Sequence, residues 1–314
     1  MSIANALSSE IYLTYVGIVG GVLAAAGLLL AGLHAAGRNV TALVRTYRGW
    51  VMMAPFVLIA VLLGRAATIG GVALLAMLSF REFARATGLY RDWWMTTLVY
   101  AGIAALAAAS LAIDPRLGRQ GWYGLFMALP VYVIATILLV PIVRNTARGQ
   151  LQQVALAMLG FIYFGWMLSH LGFLANTPNA YGYVLFLAFA VGLNDVAAFT
   201  FGKLLGRRKL RANISPNKTI EGSLGAIAIS LCVPWLLSFS LPGFSAAHLL
   251  LTGLIVGVGG QLGDLVISYI KRDIGIKDMG AMIDGHGGIL DRVDSMIFVA
   301  PLFFHMVRWF FGLV

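Results

Sequence analysis

The sequence predicts an all-α polytopic integral membrane protein, and three observations carry that prediction. Of its 314 residues, 60% are hydrophobic and only 11% are charged, where soluble domains carry about a quarter charged residues. Mean hydropathy is +0.89. Apolar stretches of about 20 residues, the length a helix needs to cross a ~30 Å hydrocarbon core, recur from one end of the chain to the other. A soluble fold would leave those runs without enough polar surface to cover them.

Taken in order, spans are expected near 12–36, 50–64, 66–80, 95–113, 122–143, 153–175, 181–202, 222–241, 247–270 and 295–313. The first follows Glu10, lacks a basic leader and is longer than the apolar core of a signal peptide, so it reads as a span. The second and third are short and only Arg65 separates them. That spacing predicts a tilted hairpin and a total of about 9–10 transmembrane helices. The sixth and seventh spans are joined by the uncharged run NTPNAYGY, and the eighth and ninth by LPGFSA, both with the Gly and Pro of tight turns. Cys232, the single cysteine, falls inside the eighth span, so no disulfide forms within the chain and the residue reads as a small apolar one.

Charge sets the expected orientation. With the N-terminus outside, 18 of the 22 Lys and Arg residues lie at cytoplasmic positions. They are Arg38, Arg45, Arg48, Arg81, Arg85, Arg91, Arg144 and Arg148 in the first half, and Lys203, Arg207, Arg208, Lys209, Arg211, Lys218, Lys271, Arg272, Lys277 and Arg292 in the second. Only Arg65, Arg116 and Arg119 fall outside, and Arg308 lies in the last span. This is the positive-inside asymmetry. It accounts for the net charge of +10 without nucleic acid, because the basic residues follow several membrane edges and not one soluble face.

The chain divides by content. Residues 1–180 are apolar scaffold helices that face lipid and offer surface for dimer contacts, and residues 181–314 hold the polar motifs of a catalytic region. No internal repeat stands out. The two long cytoplasmic connections, 203–221 and 271–294, both follow inward-running spans and are expected to meet at one mouth.

Four features point to chemistry there. Asn194-Asp195 puts a carboxylate at membrane depth, where it faces either a polar cavity or a hydrogen-bonding helix. The loop with Ser215, Pro216, Asn217, Lys218, Thr219 and Glu221 reads as a helix start or as a phosphate cradle of lysine, hydroxyls and free helix N–H groups. Asp264, Ser268 and Lys271 or Arg272 share one face of the ninth span. In the last segment, Asp291 and Asp294 are three apart on one helix face, where two carboxylates repel unless a cation lies between them. Gly285, Gly287 and Gly288 surround His286 and leave backbone N–H groups open to a phosphate. Hard oxygen donors beside phosphate are what Mg²⁺ prefers. Together these features suggest metal-assisted phosphoryl or nucleotidyl transfer at a lipid headgroup.

The last segment also resembles the signature of phosphatidate cytidylyltransferases, also called CDP-diacylglycerol synthases. The matching positions are Ser268, Lys271-Arg272, Lys277-Asp278, Gly280, His286-Gly287-Gly288, Asp291-Arg292 and Asp294. Asp195, Gly202, Gly206 and the Ser215–Glu221 run are similar to the family's upstream motifs. The likeness is strong over residues 185–314 and before that rests on helix number and character. One departure is Asp284, where the family has Pro, Gly or Ser, and it bears on substrate fit more than on reaction type.

The resemblance implies that CTP and phosphatidic acid give CDP-diacylglycerol and pyrophosphate in a homodimer in the bacterial inner membrane, with the site facing the cytoplasm. It implies Mg²⁺ held by Asp264, Asp291 and Asp294, with K⁺ as a monovalent companion. Lys271, Arg272, Arg292 and His286 join these carboxylates as catalytic residues. Asp195, Ser215, Asn217, Lys218, Thr219, Glu221, Ser268, Lys277, Asp278, Gly287 and Gly288 are the expected substrate-binding set. The alternatives are the same transfer onto another lipid phosphate, a CTP-dependent lipid kinase, and an anion transporter using Asp195 and Asp264 as midplane sites.

Overall fold

A computed structural model describes residues 1–280 and 288–312, apart from the side chains of residues 42, 45 and 46. After a short opening helix, Ile3–Ser8, the chain forms α1 (Glu10–Ala35), α2 (Thr41–Leu62), α3 (Arg65–Thr87), α4 (Trp93–Leu111), α5 (Tyr123–Val143), α6 (Gln150–Asn176) and α7 (Ala180–Leu205). A two-stranded hairpin follows, β1 (Lys209–Arg211) and β2 (Ser215–Thr219). Then come α8 (Ile220–Leu236), α9 (Ala246–Asp273) and α10 (Leu290–Phe311). Among the described residues, eight helices are long and apolar enough to cross a membrane, and Tyr47–Leu62 and Ile220–Leu236 are shorter apolar helices. The protein is an all-α polytopic membrane protein, as its composition predicts.

Side-chain chemistry sets the helix ends. Ser9 caps α1 by accepting from the Tyr12 N–H, and Asp92 caps α4 by accepting from the Met95 N–H. Gly88 ends α3 in a left-handed conformation. Arg65 opens α3 and donates to the carbonyls of Ser110 and Leu111 and to Asn176 Oδ1, which ties three helix ends together. Leu63 and Gly64 turn the chain between α2 and α3, which contact one another as a hairpin of longer helices than the two apolar runs predict. The reason is that helical hydrogen bonding continues through the polar flanks of each apolar run, from Thr41 and on to Thr87.

α10 is the central element and meets α3, α6, α7 and α9. Its Ile297, Val299, Ala300, Phe303 and Phe304 belong to a core that also holds Phe80, Phe83, Phe161 and Phe164 from the first half. The scaffold half and the motif half therefore share one interior. Lipid tails are as apolar as leucine, so this fit rests on close packing and interhelical hydrogen bonds more than on water exclusion. Two stretches widen into π-helix, Gly160–Met167 in α6 and Ile255–Gly259 in α9. The second ends five residues before Asp264, and π-bulges are common beside functional side chains. α1 stands apart. Tyr12 and Tyr15 near its start are buried, while none of its most apolar stretch is.

The connection expected over 203–221 is mostly ordered structure. β1 and β2 pair antiparallel, Lys209 with Thr219 and Arg211 with Ser215, around a bulge. Pro216 lies in an edge strand, the kind of strand that tolerates it.

Candidate active site

Three carboxylates from three helices gather at one end of the bundle. Asp195 comes from α7, Asp264 from α9 and Asp294 from the first turns of α10. Asp294 is 6% exposed, and it feels the negative charges of both Asp264 and Asp195. Asp264 Oδ1 accepts a hydrogen bond from Ser268 Oγ at 3.3 Å, one turn along the same helix face. Asp195 Oδ1 accepts from Ser295 Oγ at 3.0 Å, and Asp294 Oδ1 accepts from the Ser295 N–H at 2.7 Å. Ser295 therefore joins two of the three acids. The residue Asp195 has accessible surface, yet its carboxylate lies among Ser295, Asp264 and Lys218. Beneath it Asn194 is fully buried and accepts from Ser230 Oγ at 3.1 Å.

Lys218 reaches this cluster from β2. Its ammonium lies 2.5 Å from Asp264 Oδ2. The contact is an ion pair by distance, while the same buried nitrogen meets no acceptor with hydrogen-bonding angles. Lysine carries three donor hydrogens, so the ammonium retains capacity for further anionic oxygens. The hairpin that delivers it is built locally. Thr219 Oγ1 accepts from the Gly222 N–H at 3.1 Å and caps α8. Glu221 accepts from the N–H groups of Arg207 and Arg208 and from Arg208 Nε at 3.0–3.1 Å. Gly222 lets α8 cross α7 closely, because a Cβ there would stand 2.8 Å from the Ala198 carbonyl and 2.9 Å from Gly202 Cα. Thr219 thus caps a helix, as the helix-start reading of this run expects, and Lys218 places a cation in the acidic cluster. Ser215 is half-buried and Asn217 exposed on the same strand.

Asp291 turns elsewhere. Its Oδ1 takes an ion pair from Lys271 Nζ at 2.7 Å, and its Oδ2 accepts from the N–H groups of Met279 and Gly288 at 3.3 and 3.1 Å. Both side chains of the pair are about nine-tenths buried, at 12% and 10% exposure. Asp291 and Asp294 thus share a helix face in sequence but engage different partners. Lys271 also acts electrostatically on Asp294, which links the two groupings. Arg272 donates to the carbonyls of Ile214 and Ile276 and ties the hairpin tip to the end of α9. Lys277, Asp278 and Arg292 are exposed at this end of the bundle. His286 and Gly287, with Gly285 and Asp284, lie outside the described residues.

Two residues of the first half reach the site unforeseen. Glu82, near the end of α3, is 5% exposed, and its carboxylate accepts from the N–H groups of Ile289 at 3.0 Å and Leu290 at 2.9 Å. Tyr163, in the π-helical part of α6, donates to the Gly263 carbonyl at 3.4 Å and lies within electrostatic reach of Asp264 and Asp294. Glu82 sits between Arg81 and Arg85, so in sequence it reads as one charge of a solvated edge. Its status as one of only four carboxylates in residues 1–180 is the signal available.

The donor set fits a hard divalent cation. Asp195, Asp264 and Asp294 supply carboxylate oxygens that repel one another, and Asp264 already takes a cation, the Lys218 ammonium. Among the described residues, no three His, Cys, Asp or Glu side chains stand as a finished metal cage. Phosphate oxygens and water complete such shells where Mg²⁺ works on phosphate esters. Around the acids, Lys218, Lys271 and Arg272 give the mouth the opposite charge.

Comparison with known proteins adds a lineage. The sequence model of the cytidylyltransferase family matches residues 43–310. The uncharacterized protein YnbB of Escherichia coli is 40% identical over 166 residues, 51% of this chain and 56% of YnbB. The aligned part of this chain thus spans about half the length of YnbB. The phosphatidate cytidylyltransferase of Staphylococcus haemolyticus is 37% identical over 202 residues, 64% of this chain and 76% of that protein. The phosphatidate cytidylyltransferase of Staphylococcus aureus is 37% identical over 183 residues, 58% of this chain and 69% of its own.

Proposed function

The chain belongs to the cytidylyltransferase family of enzymes, and from that premise we propose that it transfers CMP from CTP to phosphatidic acid, giving CDP-diacylglycerol and pyrophosphate. The observation that carries this reading is the meeting of Lys218, from the hairpin, with Asp264 in a cluster that includes Asp195 and Asp294. Cations and hard oxygen donors stand side by side there, as a triphosphate and its counter-ion require. The phosphatidate cytidylyltransferase names of the staphylococcal relatives support the choice of lipid.

In this reaction a phosphate oxygen of the lipid attacks the α-phosphorus of CTP. The bond from that phosphorus to the bridging oxygen of the β-phosphate breaks, and pyrophosphate leaves with the electron pair. Lys218, with donors to spare, holds the triphosphate. Lys271, Arg272, Lys277 and Arg292 attract the two anionic reactants to one mouth, where guanidinium groups favour bidentate contacts. Held geometry and fixed charge supply the acceleration, so no side chain has to form a covalent intermediate. Asp264 and Asp294 are the proposed Mg²⁺ ligands, and Asp195 joins them on its electrostatic coupling to both, while Asp291, the third ligand the resemblance implies, would have to give up a bond to Lys271 or to a backbone N–H to join them. When bound, Mg²⁺ supplies neutralisation of the phosphate oxygens. The same reading includes a homodimer in a bacterial inner membrane, the site facing the cytoplasm, and K⁺ as a second ion.

The test incubates purified protein with labelled CTP, Mg²⁺ and a panel of lipid phosphates. CDP-diacylglycerol and pyrophosphate from phosphatidic acid are the expected products. A liponucleotide formed only from another lipid would move the assignment to that lipid, and CDP as by-product would mean a kinase. Omitting Mg²⁺ is expected to abolish turnover, and adding K⁺ back tests the monovalent ion.

A further inference from the structure

Among the described residues, the buried carboxylate of Glu82 is the one charged group of the first half seen to bond to the signature segment, and its surroundings define its task. Oε1 accepts from the Ile289 N–H and Oε2 from the Leu290 N–H. These are the donors that open α10, at the positive end of its dipole, where a carboxylate is well matched. The same carboxylate lies against both Gly280 and Gly288. A Cβ built on either glycine would collide with it. The chain therefore leaves Gly280 and returns to Gly288 beside a single side chain. Asp291 grips the same two ends through the N–H groups of Met279 and Gly288.

We propose that Glu82 is a positioning residue for cytidylyl transfer, holding the start of α10 and both ends of the 280–288 connection so that Asp291 and Asp294 stand in register with Asp264. The inference rests on the transfer reading above. Both Glu82 oxygens are committed to backbone donors, so the residue acts through α10 and does not itself meet phosphate. It also gives α3 a reason to carry a buried acid between Arg81 and Arg85. Gly280 and Gly288 are required because a carboxylate fills the space their side chains would take.

The test is Glu82→Gln, with Gly280→Ala as a second route to the same disturbance. Glutamine keeps one acceptor but points an amide donor at the other N–H, so one of the two clamping bonds is lost. The expected result is a fall in kcat of about tenfold or more with KM for CTP within about twofold, the signature of a misplaced reacting group and not of lost binding. Hydrogen exchange at Ile289 and Leu290 is expected to quicken in both variants, with α1 and α6 unchanged. Wild-type kcat in Glu82→Gln, or faster exchange throughout the bundle, would overturn the proposal. Should Glu82→Gln fail to fold, Gly280→Ala decides by the same readings. If the wild-type protein makes no CDP-diacylglycerol, the transfer reading falls, and the exchange arm still decides on Glu82.

Discussion

Two connections reach the same end of the bundle, and they are held in opposite ways. The one between α7 and α8 is self-supporting. Its strands pair with each other, Glu221 grips the N–H groups of Arg207 and Arg208, and Thr219 caps the helix that follows. The described ends of the one between α9 and α10 make few bonds among themselves. They are held by Asp291, with Lys271 behind it, and by Glu82 from a helix on the other side of the core. A local frame suits the presentation of one cation, Lys218, to an incoming anion. Borrowed order suits carboxylates that must match a partner on a different helix.

The contrast can be broken experimentally, and the largest effect is expected at the shared acids. Asp294→Asn or Asp264→Asn should lower kcat about a hundred- to thousandfold with a folded protein, read as initial rates with labelled CTP, because each removes an anionic oxygen donor from the proposed Mg²⁺ site that counters phosphate charge. Near wild-type rates in both would remove the acid cluster from the chemistry. Next comes the buried pair. Lys271→Met leaves Asp291 without its cation and should cost about 3 kcal/mol of stability, measured by thermal or denaturant unfolding in detergent. The low end of the known range applies because Asp291 keeps two backbone donors. Adding Asp291→Asn should return most of that stability without returning activity, which separates the framework from the reaction.

Smaller effects are expected in the self-supporting connection. Lys218→Ala should raise KM for CTP about tenfold, equivalent to about 1.4 kcal/mol of binding, with the unfolding transition unchanged. An unaltered KM would reduce Lys218 to a counter-ion for Asp264. Smallest of all, Thr219→Ala should cost about 1 kcal/mol through the lost cap and leave KM alone. A large kinetic defect there would mean that the hairpin and the α8 start act as one unit.

How much of this was legible in the sequence follows from the range of each interaction. The long spans were readable because hydrocarbon thickness imposes a length on them. The polar face of Asp264, Ser268 and Lys271 was readable because helical spacing alone brings those residues together. Asp291 and Asp294 were correctly given one helix face, but spacing says nothing of what stands opposite. The partners of Asp291 are a lysine 20 residues before it and two backbone N–H groups. The strand pairing around Pro216 was hidden because proline and lysine there signal a turn as readily as an edge strand. Glu82 was hidden most completely, since a carboxylate bonded to backbone N–H groups selects no side chain in its partner and leaves no matching residue to find.

The bond from Glu82 to the Ile289 N–H spans 207 positions of the chain. Contacts between distant positions must wait for the intervening chain, so they form late and slowly. In a protein made from its N-terminus, Glu82 is laid down with α3, and α4 to α9 are all made before its partners Ile289 and Leu290 arrive. The earlier helices must therefore hold the Glu82 carboxylate without these backbone donors until α10 comes to meet it. Closure of the site then waits for α10, and a chain stopped before Leu290 would carry most of the scaffold with its polar centre unassembled.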